Sequence, residues 1–319
     1  MISRPDFEKK QILFVFPREG DKMSFSNDNI VIKDKDGKIK HQSTCYRLFM
    51  VFVVGDMTIT TGLIKRAQRF GFTIHLMTSG MKGYQILGSH MEGNILLHKK
   101  QYEYHGLGLA RHIIENKIDC QTAAIRSLRI KSEDASTRLG LLKKYREDLS
   151  SKKSLQELLG IEGIAARVYF REIFSTAEWK GRKPQIKPDY INSCLDIGYT
   201  ILFNIIDSIL GIYDFDKYCG VLHTSFYMRK SLVCDLMEPM RYMIDLQVRK
   251  SINYGQIKPE DFKEINHRYV LQWKQSPKYT RMMLEPILNK KEDIFLYIQD
   301  YYRSFMKDKE INEFPVFKM

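Results

Sequence analysis

"NILLHKKQYEYHGLGLARHIIENKI", residues 94–118, is where one kind of chain gives way to another. Its apolar residues recur at helical spacing, and long helical stretches follow to the end. The residues before it read differently. "QILFVF", "KMSFS", "NIVIK" and "RLFMVFVVG" are short, rich in β-branched and aromatic residues, and separated by turn formers. Asp36-Gly37, inside "KDKDGKIK", is a hairpin signal because both positions tolerate positive φ. One stretch here is helical: in "TGLIKRAQRFG", Leu63, Ile64, Ala67 and Phe70 share a face and Gly71 is a stop. "FTIHLM" and "YQILG" return to strand. The fold class expected is α+β. A small β-rich N-terminal domain, residues 1–93, is joined by a linking helix to a larger all-α domain, residues 94–319.

A chain of 319 residues buries a sizeable core. With 51 Lys and Arg against 38 Asp and Glu, the formal net charge is +13, which favours a polyanionic partner, nucleic acid or membrane. Membrane is disfavoured. The run "LFMVFVV" is far short of the roughly 20 residues needed to span a bilayer, and "YTILFNIIDSILGIY" carries Asn204 and Asp207. The apolar run near the N-terminus, "ILFVF", is too short for a secretory signal. A cytoplasmic protein is expected. Its five cysteines are odd in number and form no C-x-x-C pair, so they read as reduced thiols. No P-loop, H-E-x-x-H or G-x-G-x-x-G motif occurs.

Chemistry is concentrated in "CGVLHTSFYMRKSLVCDLMEPMR", residues 219–241. It holds His223 and then, in an apolar string, Asp235 and Glu238. On a helix these two acids share a face, and Arg241 lies one turn beyond Glu238. Pro239 must bend the helix or open a new one, aiming Glu238 away from a regular solvated face. An ordinary Glu238–Arg241 ion pair is the plainer alternative. A second helix, "LLGIEGIAARVYFREIF", sets Glu162 among Gly160, Gly163, Ala165 and Ala166. Small neighbours leave room beside a carboxylate for a metal ion and a phosphate; close helix packing is the alternative, with Glu162 in water. One histidine and two or three carboxylates suit a hard divalent cation, Mg2+ or Mn2+, and phosphoryl-transfer chemistry.

Basic residues provide a candidate DNA surface: Lys99, Lys100, Arg182, Lys183, Arg229, Lys230 and Arg241. His98, His105 and His112, at seven-residue intervals, form a stripe beside the first two. Further cations crowd residues 126–153, and Lys180 and Lys187 flank the pair at 182–183. A charge run also fits a solvated face.

In order and approximate spacing, "GIEGIAARVYF", "INSCLDIGYTIL" and "GVLH…SLVCDLMEPMRYMID" resemble the CRISPR-associated integrase and endonuclease of spacer acquisition, the "Cas one" family. "VVGDMTITTGLIKRAQRFGFTIHLM" and "HKKQYEYH" extend the resemblance over nearly the whole chain. It implies Glu162, His223 and Glu238 as ligands of the catalytic metal, with Asp235 as a further acidic catalytic position. It also implies a β-rich dimerisation domain, a homodimer assembling as a dimer of dimers, and a small second CRISPR adaptation subunit. The implied reaction joins protospacer 3′-hydroxyls to the CRISPR repeat in double-stranded DNA by transesterification. "NKIDCQ" departs from a Lys-x-x-Asn-Gln pattern, and "YDFDKYCG" lacks a proline before the glycine; neither departure falls on an expected ligand. Two alternatives stand beside integration: a stand-alone nuclease for branched DNA or repair intermediates, and a non-catalytic DNA-binding scaffold.

Overall fold

The computed structural model describes residues 4–89, 92–175, 177, 179, 181–184, 186–223 and 227–319; Lys180 lies outside them. The chain divides into two compact units, one of residues 1–94 with 211–214, the other of residues 95–210 with 215–319.

After a short helix α1 (Arg4–Glu8), the first unit builds two four-stranded sheets. The strands are β1 (Gln11–Val15), β2 (Lys22–Ser26), β3 (Asn29–Lys33), β4 (Ile39–Thr44), β5 (Leu48–Val54), β6 (Thr58–Ile59), β7 (Thr73–Met77) and β8 (Gly83–Gly88). One sheet has the order β1-β5-β7-β8, with β1, β5 and β7 parallel and β8 antiparallel to β7. The other is β4-β3-β2-β6, antiparallel except for the β2–β6 pair. Every residue of β5 is buried, which explains its unbroken apolar run: a central parallel strand covered on both faces has no polar side. Helix α2 (Thr61–Phe70) buries Leu63 and Ala67 in a core with Met23, Ile30, Val51 and Ile74. It ends at Gly71, whose φ of 72° is the left-handed cap conformation that glycine adopts freely. The turn at Asp36-Gly37 is present, with Gly37 at φ 82°. Strands β4 and β6 escape sequence detection because "IKHQST" is mostly exposed and polar, and β6 is two residues long.

The second unit is helical. Its helices are α3 (Ile95–Glu103), α4 (Gly108–Ser127), α5 (Ala135–Asp148), α6 (Leu155–Ile173), α7 (Tyr190–Tyr213), α8 (Ser231–Met237), α9 (Tyr242–Asn253), α10 (Ser276–Asn289) and α11 (Lys291–Met306). The last turn of α7 falls in the first unit by the division above. Residues 94–118 therefore contain two helices rather than a single linking one. The break spans residues 104–107, where Gly106 weakens the helix and the Tyr104 hydroxyl accepts the Leu109 N–H at 2.9 Å, in the first turn of α4. The expected histidine stripe is divided by the same break. The unit also holds an antiparallel hairpin, β9 (Phe262–Ile265) and β10 (Arg268–Leu271), turned by Asn266 and His267 at φ 51° and 59°. His267 is an exposed turn residue.

Two packing features hold the helices that matter below. The Arg249 guanidinium, from α9, donates to the Glu172 carbonyl at 3.1 Å and to the Ile173 carbonyl, in the last turn of α6, where carbonyls run short of helical N–H partners. The C-terminal segment lies along α4: Asn116 exchanges two 2.8 Å hydrogen bonds with the Phe317 backbone, and His112 Nε2 donates to the Pro315 carbonyl at 3.0 Å. Helix α7 is long and apolar enough to cross a membrane, and 72% of its most apolar stretch is buried within the fold. Its Asp207 is buried and paired with Lys217 and Lys230 at 2.7 and 2.6 Å.

Candidate active site

Glu162 stands midway along α6. The helix starts with Ser154 and Glu157 in a reciprocal capping box, as the S-x-x-E spacing predicts. A Cβ added at Gly160 or Gly163 would meet nothing within 4 Å, so the small face is open space and not a close helix contact. Gly163 and Ala166 border a cavity of about 1090 Å3 within the helical unit, and Glu162 opens into it.

Glu238 reaches the same cavity from a break in the chain. Helix α8 ends at Met237, residues Glu238–Met240 form one 3-10 turn, and α9 resumes at Tyr242. Pro239, which has no N–H to donate, accounts for the interruption. The break carries the Glu238 side chain inward, where it is 5% exposed. The anticipated ion pair is real, with Arg241 donating to Glu238 Oε1 at 2.9 Å, but it is half of the arrangement. Lys117, from α4, donates to Glu238 Oε2 at 2.6 Å and also to Glu162 Oε1, joining two carboxylates from separate elements. Burial pushes the Glu238 carboxyl up, but Arg241 and Lys117 outweigh it and bring it down to about 2. Burial likewise lowers Lys117, and the facing charges of Glu238 and Glu162 raise it further than burial lowers it.

His223 also lines this cavity. Its orientation is fixed by Asp235, which is fully buried and not part of the cavity lining. Asp235 Oδ1 accepts from the His223 backbone N–H at 3.0 Å and faces His223 Nδ1 at 2.6 Å. Its Oδ2 accepts the N–H groups of Val221 and Leu222 at 2.6 and 2.9 Å. Facing a carboxylate, Nδ1 is the ring's donor, and Nε2 is the nitrogen not engaged by Asp235. Asp235, expected among the catalytic acids, does not face the cavity, and its two oxygens are taken up by the loop backbone and the His223 ring. Gly220 permits that loop: a Cβ there would fall 2.7 Å from Asp235 Oδ2 and 2.6 Å from Ser231 Cβ.

Beyond the two carboxylates the lining becomes cationic and aromatic. Arg182 and Arg241 lie 5.2 and 4.9 Å from the Tyr199 ring centroid. Asp245 accepts hydrogen bonds from Tyr169 at 3.0 Å and from Tyr199. Burial lifts its carboxyl to about 6, against the lowering effect of those two hydroxyls and of Arg241 and Arg182.

The expected DNA-contacting cations divide by their partners. Arg182, Arg229 and Arg241 line the cavity, although Arg182 is bound to Asp196 and Asn192 and Arg241 to Glu238. Lys99 and Lys183 are exposed. Lys100 and Lys230 depart from the expectation, since their ammonium groups are spent on Asp308 and Asp207. Lys117 and Gln121 line the cavity and were not singled out. In "NKIDCQ" it is the lysine matching the Lys-x-x-Asn-Gln pattern, not the departure at Cys120, that bonds to Glu162 and Glu238. A signal was available: Lys117 is one turn from Ile113 and Ile114, on the buried face of α4, where a solvated lysine does not belong.

Among the described residues, no three His, Cys, Asp or Glu side chains stand as a ready-made metal cage. The donor chemistry nevertheless fits a hard divalent ion. Two carboxylates converge on a single positive centre, the Lys117 ammonium, beside a cavity that His223 shares.

The family model describing CRISPR associated protein Cas1 matches residues 14–284. The chain belongs to the Cas1 family. Among curated Cas1 relatives, an endonuclease Cas1 of Methanospirillum hungatei is 28% identical over 249 residues, 76% of this chain and 70% of that one. One from Archaeoglobus fulgidus is 27% identical over 276 residues, covering 77% and 80%. Solved structures share the fold, a β-rich N-terminal part followed by a helical one. A casposase bound to integration product has a TM-score of 0.77 at 20% identity, covering 97% of this chain and 96% of that one. A Cas1 protein from Thermotoga maritima has a TM-score of 0.77 at 16% identity, covering 93% and 97%. A chain of a Cas6-RT-Cas1–Cas2 complex has a TM-score of 0.80 at 21% identity; this chain spans 36% of that longer one.

Proposed function

We propose that this chain is a divalent-metal-dependent DNA integrase and endonuclease of CRISPR adaptation, working in the cytoplasm on double-stranded DNA. Its metal ligands are Glu162, Glu238 and His223. The observation that carries the reading is that these three side chains, from three separate segments, open into one cavity bordered by Arg182, Arg229 and Arg241. When bound, Mg2+ or Mn2+ supplies Lewis-acid activation of a phosphodiester and of the attacking hydroxyl. The chain's own residues do the rest. Asp235 pairs with His223 Nδ1 and so holds the ring with Nε2 as the nitrogen left for the metal. Lys117 and Arg241 keep Glu238 ionised. The arginines neutralise and orient the phosphate. In a transesterification one phosphodiester replaces another and bond energies barely change, so positioning and charge neutralisation account for the rate.

Joining both protospacer ends to opposite strands of a repeat needs two such sites at a fixed separation. We therefore extend the reading to a homodimer acting as a dimer of dimers with a small second adaptation subunit, in keeping with the Cas1–Cas2 complex among the structural relatives. The test is strand transfer from a 3′-hydroxyl DNA donor into a repeat-containing plasmid with Mn2+. Glu162→Ala, His223→Ala and Glu238→Ala each abolish transfer while DNA binding persists. Full transfer by any of them refutes the assigned site. Cleavage of branched DNA with no insertion at the repeat favours a stand-alone nuclease.

A further inference from the structure

The helical unit encloses a lysine where a cation is called for. Lys117 Nζ lies 2.6 Å from Glu238 Oε2 and is also hydrogen-bonded to Glu162 Oε1. The three side chains arise from α4, α6 and the turn after α8, so the ammonium is what draws the two carboxylates together. Without a positive charge between them they would repel, and Glu238, 5% exposed, would be a buried anion with Arg241 as its remaining partner.

A bridge of this kind is permanent when packing seals it, and this one is not sealed. Lys117, Glu162 and Glu238 all border the 1090 Å3 cavity, Glu162 is 23% exposed, and the helix beside it is thinned by Gly163. Lysine is also suited to exchange. Its ammonium is a point charge on a flexible four-carbon stem, without the planar fork that locks an arginine to a carboxylate.

We propose that Lys117 is an exchangeable counter-ion of the metal centre. It holds Glu162 and Glu238 together in the metal-free protein and is displaced by the incoming divalent ion. It then remains on the cavity wall as a positive charge facing the phosphodiester. The inference rests on the metal-centre reading given above and adds a competitor to it.

The experiment measures Mn2+ affinity on the full-length chain without DNA, by electron paramagnetic resonance of free Mn2+. It compares wild type, Lys117→Gln, Lys117→Arg and Glu162→Ala. Removing the competing charge makes Lys117→Gln bind Mn2+ more tightly than wild type, by about tenfold or more, whereas Lys117→Arg binds no more tightly than wild type. In metal-free buffer Lys117→Gln unfolds at lower denaturant concentration than wild type, and Mn2+ restores it. A lysine that only supports the fold predicts the opposite change in affinity. The proposal is overturned if Lys117→Gln binds Mn2+ equally or more weakly, if Lys117→Arg matches its gain, or if Lys117→Gln stays unfolded in saturating Mn2+. Should wild type bind no more Mn2+ than Glu162→Ala, the metal-centre reading falls and this proposal with it. If wild type binds and Lys117→Gln is unchanged, the role of the lysine alone falls.

Discussion

Asp235 and Asp245 sit ten residues apart, both buried, and serve opposite ends. Asp235 gathers three backbone N–H groups and one imidazole, so its value lies in the direction it imposes on His223. Asp235→Asn replaces one acceptor oxygen with a donor and turns the ring tautomer toward the wrong nitrogen. Strand transfer falls by about 10- to 100-fold, the usual cost of losing a ligand's orienting partner, while donor DNA binding is retained. Single-turnover transfer assays alongside a binding titration check this. Asp245 instead faces two tyrosine hydroxyls and the Arg182 and Arg241 guanidinium groups, and burial raises it from its ordinary 3.8 to about 6. Between these values the folded chain holds a proton that the unfolded chain releases, so this group's contribution to stability falls as pH rises from 3.8 to about 6. Urea midpoints of wild type minus those of Asp245→Asn should decline across that window and level off above it. Neither assignment was legible in the sequence, because an aspartate's role depends on which donors the fold brings to it. That Glu162, His223 and Glu238 belong to one cavity was legible because small neighbours and a proline marked the two acids and the family motifs marked all three.

Helix α6 shows what an element gives up for a site. Two glycines interrupt an otherwise good helix former, and neither is required for packing, since a methyl group at either position would meet empty space. Gly160 is not part of the cavity lining, so Gly160→Ala should raise stability by about 0.5–1 kcal/mol with strand transfer unchanged. Paired urea denaturation curves test this. The long elements were readable because hydrophobic spacing and caps agreed: α6 opens at its capping box, α2 closes at Gly71, and β5 announces itself as an apolar run. The polar edge strand β4 and the hairpin β9–β10 were not. In β4 the first four residues are exposed and in β9 three of four are, and β10 alternates over only four residues with no fully buried side chain, too short and too shallow a pattern to detect.

At the scale of the whole molecule, the +13 charge is a statement about association rather than fold. Many of the cations behind it are already committed inside the helical unit: Arg138 to Glu172, Arg146 to Asp119, Arg182 to Asp196 and Lys230 to Asp207. The sequence displays charge without its partners, which is why the basic surface was the least legible part of the site. Enough positive charge is left over to govern duplex binding. If about six phosphates are neutralised, affinity drops about a thousandfold between 50 and 200 mM salt through counterion release. Fluorescence anisotropy over that range measures the slope, and a flat response would contradict a phosphate-tracking surface.

The strap along α4 has a consequence for how the molecule comes into being. His112 and Asn116 find their partners about two hundred residues downstream, at Pro315 and Phe317. Closing so distant a contact is slow compared with local helix formation. During synthesis, then, the helix bearing Lys117 waits with its back uncovered until residues 315–317 have left the ribosome. Nascent chains stalled before that point should leave α4 open to protease, and release should protect it.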